Sequence, residues 1–217
     1  AMTPEFSGLV NPIIRHTIDV VDRVRAGTAD LMETRSDLRM MLDRADRQVA
    51  SPGGRVAESE WDFAKRALVF WLDEVLTVAN PQWQSVTLEW EYYVSRDRAW
   101  RFYYDWETQA KKSTPNVAEL WYLLLVLGFE GDIADAFNHH LNDPIPTGTT
   151  HEDFRKRWAG DLARLVPPLE ARNFEKIPLQ GTIEPLVWDG QLMNAVRWTV
   201  VLLLITVVLV MIWYKEG

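Results

Sequence analysis

The chain has 217 residues, a formal net charge of −8 and no cysteine. That excess of acid argues against a nucleic-acid binder, which needs clustered positive charge to displace counterions from phosphates, and against docking of the soluble part on anionic lipid. Without cysteine there is no disulfide, no thiol nucleophile and no thiolate metal site.

The opening AMTPEFSGLVNPII lacks a basic start followed by a long apolar run, so no signal peptide is expected and the domain that follows is expected in the cytoplasm. Asn11 and Pro12 read as a helix start, an acceptor side chain followed by a residue preset to helical φ. Ile14, Ile18, Val21 and Val24 follow at helical spacing, and Gly27 ends the run. Thr28 reads as the cap of a second helix reaching Val49, with Leu31, Leu38, Met41, Leu42, Ala45 and Val49 on one side and an Asp43–Arg47 pair on the other. The short Gly27–Thr28 connection makes these two helices antiparallel neighbours. Ser51-Pro52-Gly53-Gly54 is a loop.

A third helix is predicted from Ala57 to Ala79, at the centre of the soluble part. Ala64, Ala67, Leu68, Trp71, Val75 and Val78 share one broad face, with Asp62, Lys65, Arg66, Asp73 and Thr77 opposite. Val69 and Phe70 fall inside that polar stripe, so the middle of the helix is apolar almost all round and should pack on several sides. Asn80-Pro81 stops it.

Residues 82–111 hold Trp83, Trp90, Tyr92, Tyr93, Trp100, Phe102, Tyr103, Tyr104 and Trp106, read as two short helices broken near Ser95–Asp97. Aromatics interleaved with Arg96, Arg98 and Arg101 suit single-strand nucleic-acid stacking, but the acidic total and the helical spacing favour a packed core. Thr114-Pro115 opens the next helix, with Asn116 and Glu119 as a second capping pair. Its run AELWYLLLVL is apolar on nearly every face and should be the most buried helix, stopped by a left-handed Gly128. A short helical piece covers Ile133 to Leu141. Thr150 and Asp153 cap a last soluble helix with Phe154, Trp158, Leu162 and Leu165 on its inner side, ended by Pro167-Pro168.

From Trp198 to Tyr214 the chain reads WTVVLLLITVVLVMIWY, uncharged and without a breaker. At about 1.5 Å per residue this gives roughly 25 Å of helix, near the lower limit for a bilayer core of about 30 Å. Arg197 and Lys215 stand where charges snorkel outward, and Trp198, Trp213 and Tyr214 where aromatic belts form. The chain is therefore expected to be all-α, with a cytoplasmic helical domain over 1–166 and a pre-membrane connector over 167–194. A transmembrane tail anchor over 195–214 and a periplasmic tail over 215–217 complete it.

Catalytic patterns are weak. His139 and His140 are adjacent, so on a helix they point about 100° apart and share a metal awkwardly. His151-Glu152 has Arg155 where a zinc-protease helix has its second histidine, and Gly53-Gly54 lacks the Lys-Ser/Thr of a phosphate loop. No catalytic residue, cofactor or metal is predicted. Asp73 and Glu74 remain, adjacent carboxylates in a mostly apolar helix, which cost desolvation unless paired or open to water. Two readings stand: a solvated or salt-bridged edge that serves only the fold, or the mouth of a cleft that offers negative charge to a basic partner. Phe70, Thr77 and Arg66 are the other partner-binding candidates on that helix.

With these residues in view, a likeness can be stated. Ala67-Leu68-Val69-Phe70-Trp71-Leu72-Asp73-Glu74 resembles the helix carrying a leucine-aspartate-glutamate motif in the DotU/TssL family, also called IcmH. Trp83 and Thr87-Leu88 follow, and Phe102-Tyr103 match that family's paired aromatics. The run from Glu119 to Gly131 resembles its leucine-rich helix ending in Leu-Gly-Phe-x-Gly, with Leu127, Gly128, Phe129 and Gly131 at the motif positions. The likeness covers residues from about 60 to 133. Arg98-Ala99-Trp100 departs from the family's glycine pair and acid, and Asp132 stands where a basic or polar residue is usual.

The resemblance implies an inner-membrane component of a bacterial type VI secretion apparatus, or of the related type IVB one. Its fold would be a cytoplasmic hook of two small packed bundles on one transmembrane helix. The implied partners are a large TssM/IcmF-type membrane subunit, baseplate subunits of TssK and TssE type, and a second copy meeting through the anchor, where Thr199 and Thr206 share a face. The expectation is a non-enzymatic, anchored docking subunit. The alternative is an anchored helical adaptor that holds an amphipathic partner helix in a groove.

Overall fold

The computed structural model describes residues 2–166. Helix α1 runs from Pro4 to Arg25, with Thr3 as its cap and Pro4 in its first turn, so Asn11-Pro12 lies inside the helix rather than at its start. An interior proline costs about 3 kcal/mol. Phe6, Leu9 and Val10, all buried on the near side of Pro12, return roughly 1.5–3 kcal/mol each. Burial wins over the local signal. Gly27, at φ +69°, ends α1 as expected, and the Thr28 N–H bonds to the Arg23 carbonyl at 2.9 Å. That bond uses Thr28 to close α1. The cap of α2 (Leu31–Val49) is instead Asp30, which accepts the Glu33 N–H at 2.8 Å. On α2, Asp43 is met by Arg39 at 3.5 Å and by the Tyr92 hydroxyl at 2.8 Å, not by Arg47.

Helix α3 (Glu58–Ala79) is the hub. It packs against α1, α2, α4 (Leu88–Tyr93), α5 (Arg98–Thr108) and α6 (Pro115–Val126), and its run from Ala67 to Asp73 is wholly buried. On the α2 side Asp46 accepts both the Trp61 indole N–H and the Lys65 ammonium at 2.7 Å. The predicted apolar face stops short of the helix end, where Val75 is half-buried and Val78 is 78% exposed. Asn80 ends the helix and caps the 3-10 turn Pro81–Ser85.

The break between α4 and α5 falls where expected. Its unexpected feature is Val94, a β-branched residue in the left-handed region at φ +50°. A left-handed backbone costs an L-residue roughly 1–2 kcal/mol that glycine does not incur. Val94→Gly is expected to raise stability by about 1 kcal/mol, read as a higher urea midpoint with an unchanged slope.

Thr114 caps α6 as expected, but Asn116 does not pair with Glu119. It donates to Glu60 at 2.9 Å and accepts the Thr3 N–H at 2.8 Å, fastening the start of α6 to α3 and α1. The most buried helix is α3 rather than α6. Helix α6 packs mainly on α3 and on α8 (His151–Leu165), so Val126 is exposed and Tyr122, Leu123 and Leu125 are half-buried. Between α6 and α8, the short α7 (Ile133–Asp135) continues as a π-helical turn, Ala136–His140. Thr150 caps α8, whose Trp158 and Leu162 are buried.

Among the described residues there is no strand, and no helix is long and apolar enough to cross a membrane. The connector over 167–194, the anchor over 195–214 with Arg197, Trp198, Trp213, Tyr214 and Lys215, and the tail over 215–217 lie outside the described residues. Trp83, Phe102, Tyr103 and Trp106 are buried in one cluster of apolar side chains and Tyr92, Tyr93 and Trp100 pack against it, so most of the aromatic run serves the core.

Candidate functional site

The motif residues picked out in the sequence meet where the C-terminal half of α3 faces the turn after α6. Asp73 is fully buried. The Pro81–Ser85 turn folds Trp83 back beneath α3, so Oδ1 of Asp73 accepts the Trp83 indole N–H at 2.8 Å and the Leu88 N–H at 3.0 Å. Oδ2 accepts the Glu89 N–H at 2.6 Å. Thr87, the residue before α4, makes no side-chain capping bond, so a carboxylate fifteen residues upstream caps that helix instead.

This placement corrects the reading of Asp73 as a charge offered to a partner. The helical stripe that looked solvent-facing is roofed by α4 and the turn before it. Burial pushes the Asp73 carboxyl up to about 6, against the three donors and the nearby Arg98 cation. Between its ordinary 3.8 and about 6 the folded chain holds a proton that the unfolded chain releases. The contribution of this group to stability is therefore fully present below about pH 4 and is lost as pH rises through about 6. The stability advantage of the native chain over Asp73→Asn should be larger in urea titrations at about pH 4.5 than at about pH 7.5.

Glu74 points the other way. Its Oε1 accepts the Gly131 N–H at 2.7 Å and the Glu130 N–H at 3.2 Å, and its side chain stays 15% exposed. Arg98 is the counter-ion of the whole cluster. Its Nε lies 3.6 Å from Glu74, its Nη1 donates to buried Glu89 at 3.3 Å, and its Nη2 donates to Gln84 at 3.1 Å and to Thr77 at 3.3 Å. The departure from the family pattern at Arg98-Ala99 thus makes the contacts itself: the Ala99 carbonyl accepts the Asp132 N–H at 2.7 Å.

The turn after α6 is fixed from three sides. The Trp71 indole N–H bonds to the Leu127 carbonyl at 3.2 Å, the Tyr103 hydroxyl donates to the Glu130 carbonyl, and Phe102 stacks on Phe129 with ring centroids 4.1 Å apart. Gly128 and Gly131 take φ +98° and +56°. At Gly131 a Cβ would lie 2.4 Å from the Ala99 carbonyl oxygen, so both the conformation and the close approach require glycine.

Of the other candidates, Phe70 is buried with its ring edge-on to Tyr93 at 5.9 Å, out of a partner's reach. Arg66 donates to Asp105 at 3.2 Å and lies over the Tyr93 ring, and Thr77 donates to the Asp73 carbonyl. His139 and His140 flank Asp135, with His140 stacked on Trp100 at 3.6 Å, and Glu152 pairs with Lys156 at 2.7 Å. No group of three or more His, Asp or Glu able to hold a metal occurs among the described residues.

Beside this frame lies an open groove of about 430 Å³ between α1, the end of α3 and the Gly128 turn. Its walls are Ile18, Val21, Val75 and Val78, and Asp22, Arg25, Glu74 and Glu130 stand at its rim. Arg25 is taken by Asp22 at 2.6 Å, leaving the rim acidic. Sequence reading put Val75 and Val78 on the broad apolar face of α3 and Val21 at helical spacing on α1, and did not pick Arg98 or Glu89 as site residues. The signal for Arg98 was present, because three carboxylates in apolar surroundings demand a cation.

A family model described as Type VI secretion system protein DotU matches residues 6–216, well beyond the stretch that carries the motifs. No curated protein and no solved structure gives a significant match.

Proposed function

We propose that this chain, which belongs to the DotU family of type VI secretion system proteins, is a non-enzymatic subunit that docks the cytoplasmic baseplate onto a membrane complex. In this reading the segment 195–214 crosses the bacterial inner membrane with its C-terminal end in the periplasm. The helical domain is the hook: α1 to α3 form one bundle and α5 to α8 the other, both built on α3. A large TssM/IcmF-type subunit and a second copy are its membrane partners, and subunits of TssK and TssE type are its baseplate partners. Confinement to the membrane plane raises the effective concentration of the hook near them.

The observation that carries the reading is the groove. Asp73, Glu74 and Arg98 form a rigid frame, and beside it apolar side chains stand open under an acidic rim, with Val78 78% exposed. Apolar walls with a charged edge suit the basic, amphipathic face of a partner. The test is purification of the full chain in mild detergent with mass spectrometry of what co-elutes. A large membrane subunit together with baseplate subunits is expected. Co-elution of a short helical peptide alone would instead support the groove-binding adaptor.

A further inference from the structure

The stretch from Trp90 to Arg96 has three features that core packing does not account for; the left-handed turn itself ends α4, but it does not call for a valine. Val94 holds a strained left-handed backbone while leaving its side chain 70% exposed. Trp90 is 51% exposed. Arg96 lies over the Trp90 ring at 5.4 Å and forms no ion pair with any described residue, in a chain with 31 acids against 23 bases. Strain kept at an exposed apolar position points to a role in recognition.

Arg96 also stands at a shallow groove of about 640 Å³ between the start of α2 and the Pro81–Ser85 turn. Leu31, Met32, Pro81 and Val86 supply its apolar lining, Gln84 adds an amide, and Arg96 is its one charged side chain. The groove that carries the proposed baseplate docking shares none of these residues.

We propose that this second groove and the Trp90–Arg96 ledge bind an apolar segment of a partner protein that carries a carboxylate. The apolar floor takes the segment's hydrophobic side chains. The guanidinium, over the indole at 5.4 Å, keeps its N–H fork free for a bidentate carboxylate. A phosphate backbone or an anionic bilayer calls for several cations, whereas the lining here has one. Trp, Arg and Met are also the residue types enriched where partners meet.

The experiment places a photo-crosslinking amino acid at Met32 of the full chain in cells and maps the adduct by mass spectrometry. The expected adduct is a segment of another protein with an Asp or Glu within a few residues of the crosslinked position. Its yield should fall at least fivefold in Arg96→Glu and by a smaller factor in Arg96→Lys, which keeps the charge but not the planar fork. Replacing the mapped carboxylate by arginine should restore it in the Arg96→Glu background. Val94→Gly should lower the yield while raising the urea midpoint, a combination that a purely structural role does not produce. Adducts only to lipid, to a second copy of this chain or to a basic segment would overturn the proposal, as would a yield indifferent to Arg96→Glu. Baseplate co-elution in the same preparation should be unchanged by Arg96→Glu, so failure here is distinguishable from failure of the docking reading.

Discussion

Asp73→Ala is expected to destabilise the helical domain by about 3–5 kcal/mol, a large part of the 5–15 kcal/mol typical of a domain. The substitution removes the acceptor of three buried donors: the Trp83 indole, Leu88 N–H and Glu89 N–H. Each unmatched buried donor costs about 1–3 kcal/mol, partly offset by relief of a desolvated charge. It also uncaps α4 and frees Trp83, whose ring closes the core beneath α3. Asp73→Asn should cost less, about 1–2 kcal/mol, because its oxygen still serves Trp83 and Leu88 while its amide opposes only the Glu89 N–H. Urea midpoints of the three chains at fixed pH check the order native, Asn, Ala. If Asp73→Ala melts like the native chain, the carboxylate is not structural.

Gly131→Ala should cost about 3 kcal/mol or more, and two terms add. The backbone sits at φ +56°, which costs an L-residue roughly 1–2 kcal/mol. The new methyl also meets the Ala99 carbonyl at 2.4 Å and the Phe129 ring at 2.7 Å. The carbonyl cannot step aside cheaply because it accepts the Asp132 N–H at 2.7 Å, and the ring is stacked on Phe102. Gly128→Ala is the internal control. Gly128 has φ +98° but nothing within 4 Å of the added methyl, so only the conformational cost of roughly 1–2 kcal/mol applies. Equal melting losses for the two variants would mean that the close approach at Gly131 does not constrain the turn.

What the sequence made legible is chemistry that acts within one turn of chain. Gly27, Gly128, Thr114 and Thr150 end or begin helices as their residue types dictate. Asn11-Pro12 and Thr28 carry equally good local signals and mislead. The burial of Phe6, Leu9 and Val10 extends α1 through the first, and the closing bond to Arg23 consumes the second. Asp73 was misjudged for a longer-range reason. A helical wheel reports which residues share a stripe, but not that a helix starting fifteen residues downstream will roof that stripe. Val78 is the converse, placed on the apolar face of its own helix with no neighbour among the described residues to cover it. Both errors concern what lies outside the helix. The second falls where the proposed docking surface is, since a groove is a place where a helix's own pattern goes unanswered by the fold.

The central claim is that the acidic pair of α3 builds the frame while the groove beside it does the docking. The most direct test is the amount of baseplate subunit co-eluting per full chain in Val78→Lys. Val78 is 78% exposed, so the substitution leaves the core intact and places a positive charge under an acidic rim that should attract a basic partner. The account predicts at least a tenfold loss of baseplate subunits, with the membrane partner retained and the urea midpoint unchanged. Undiminished co-elution at an unchanged midpoint would contradict it.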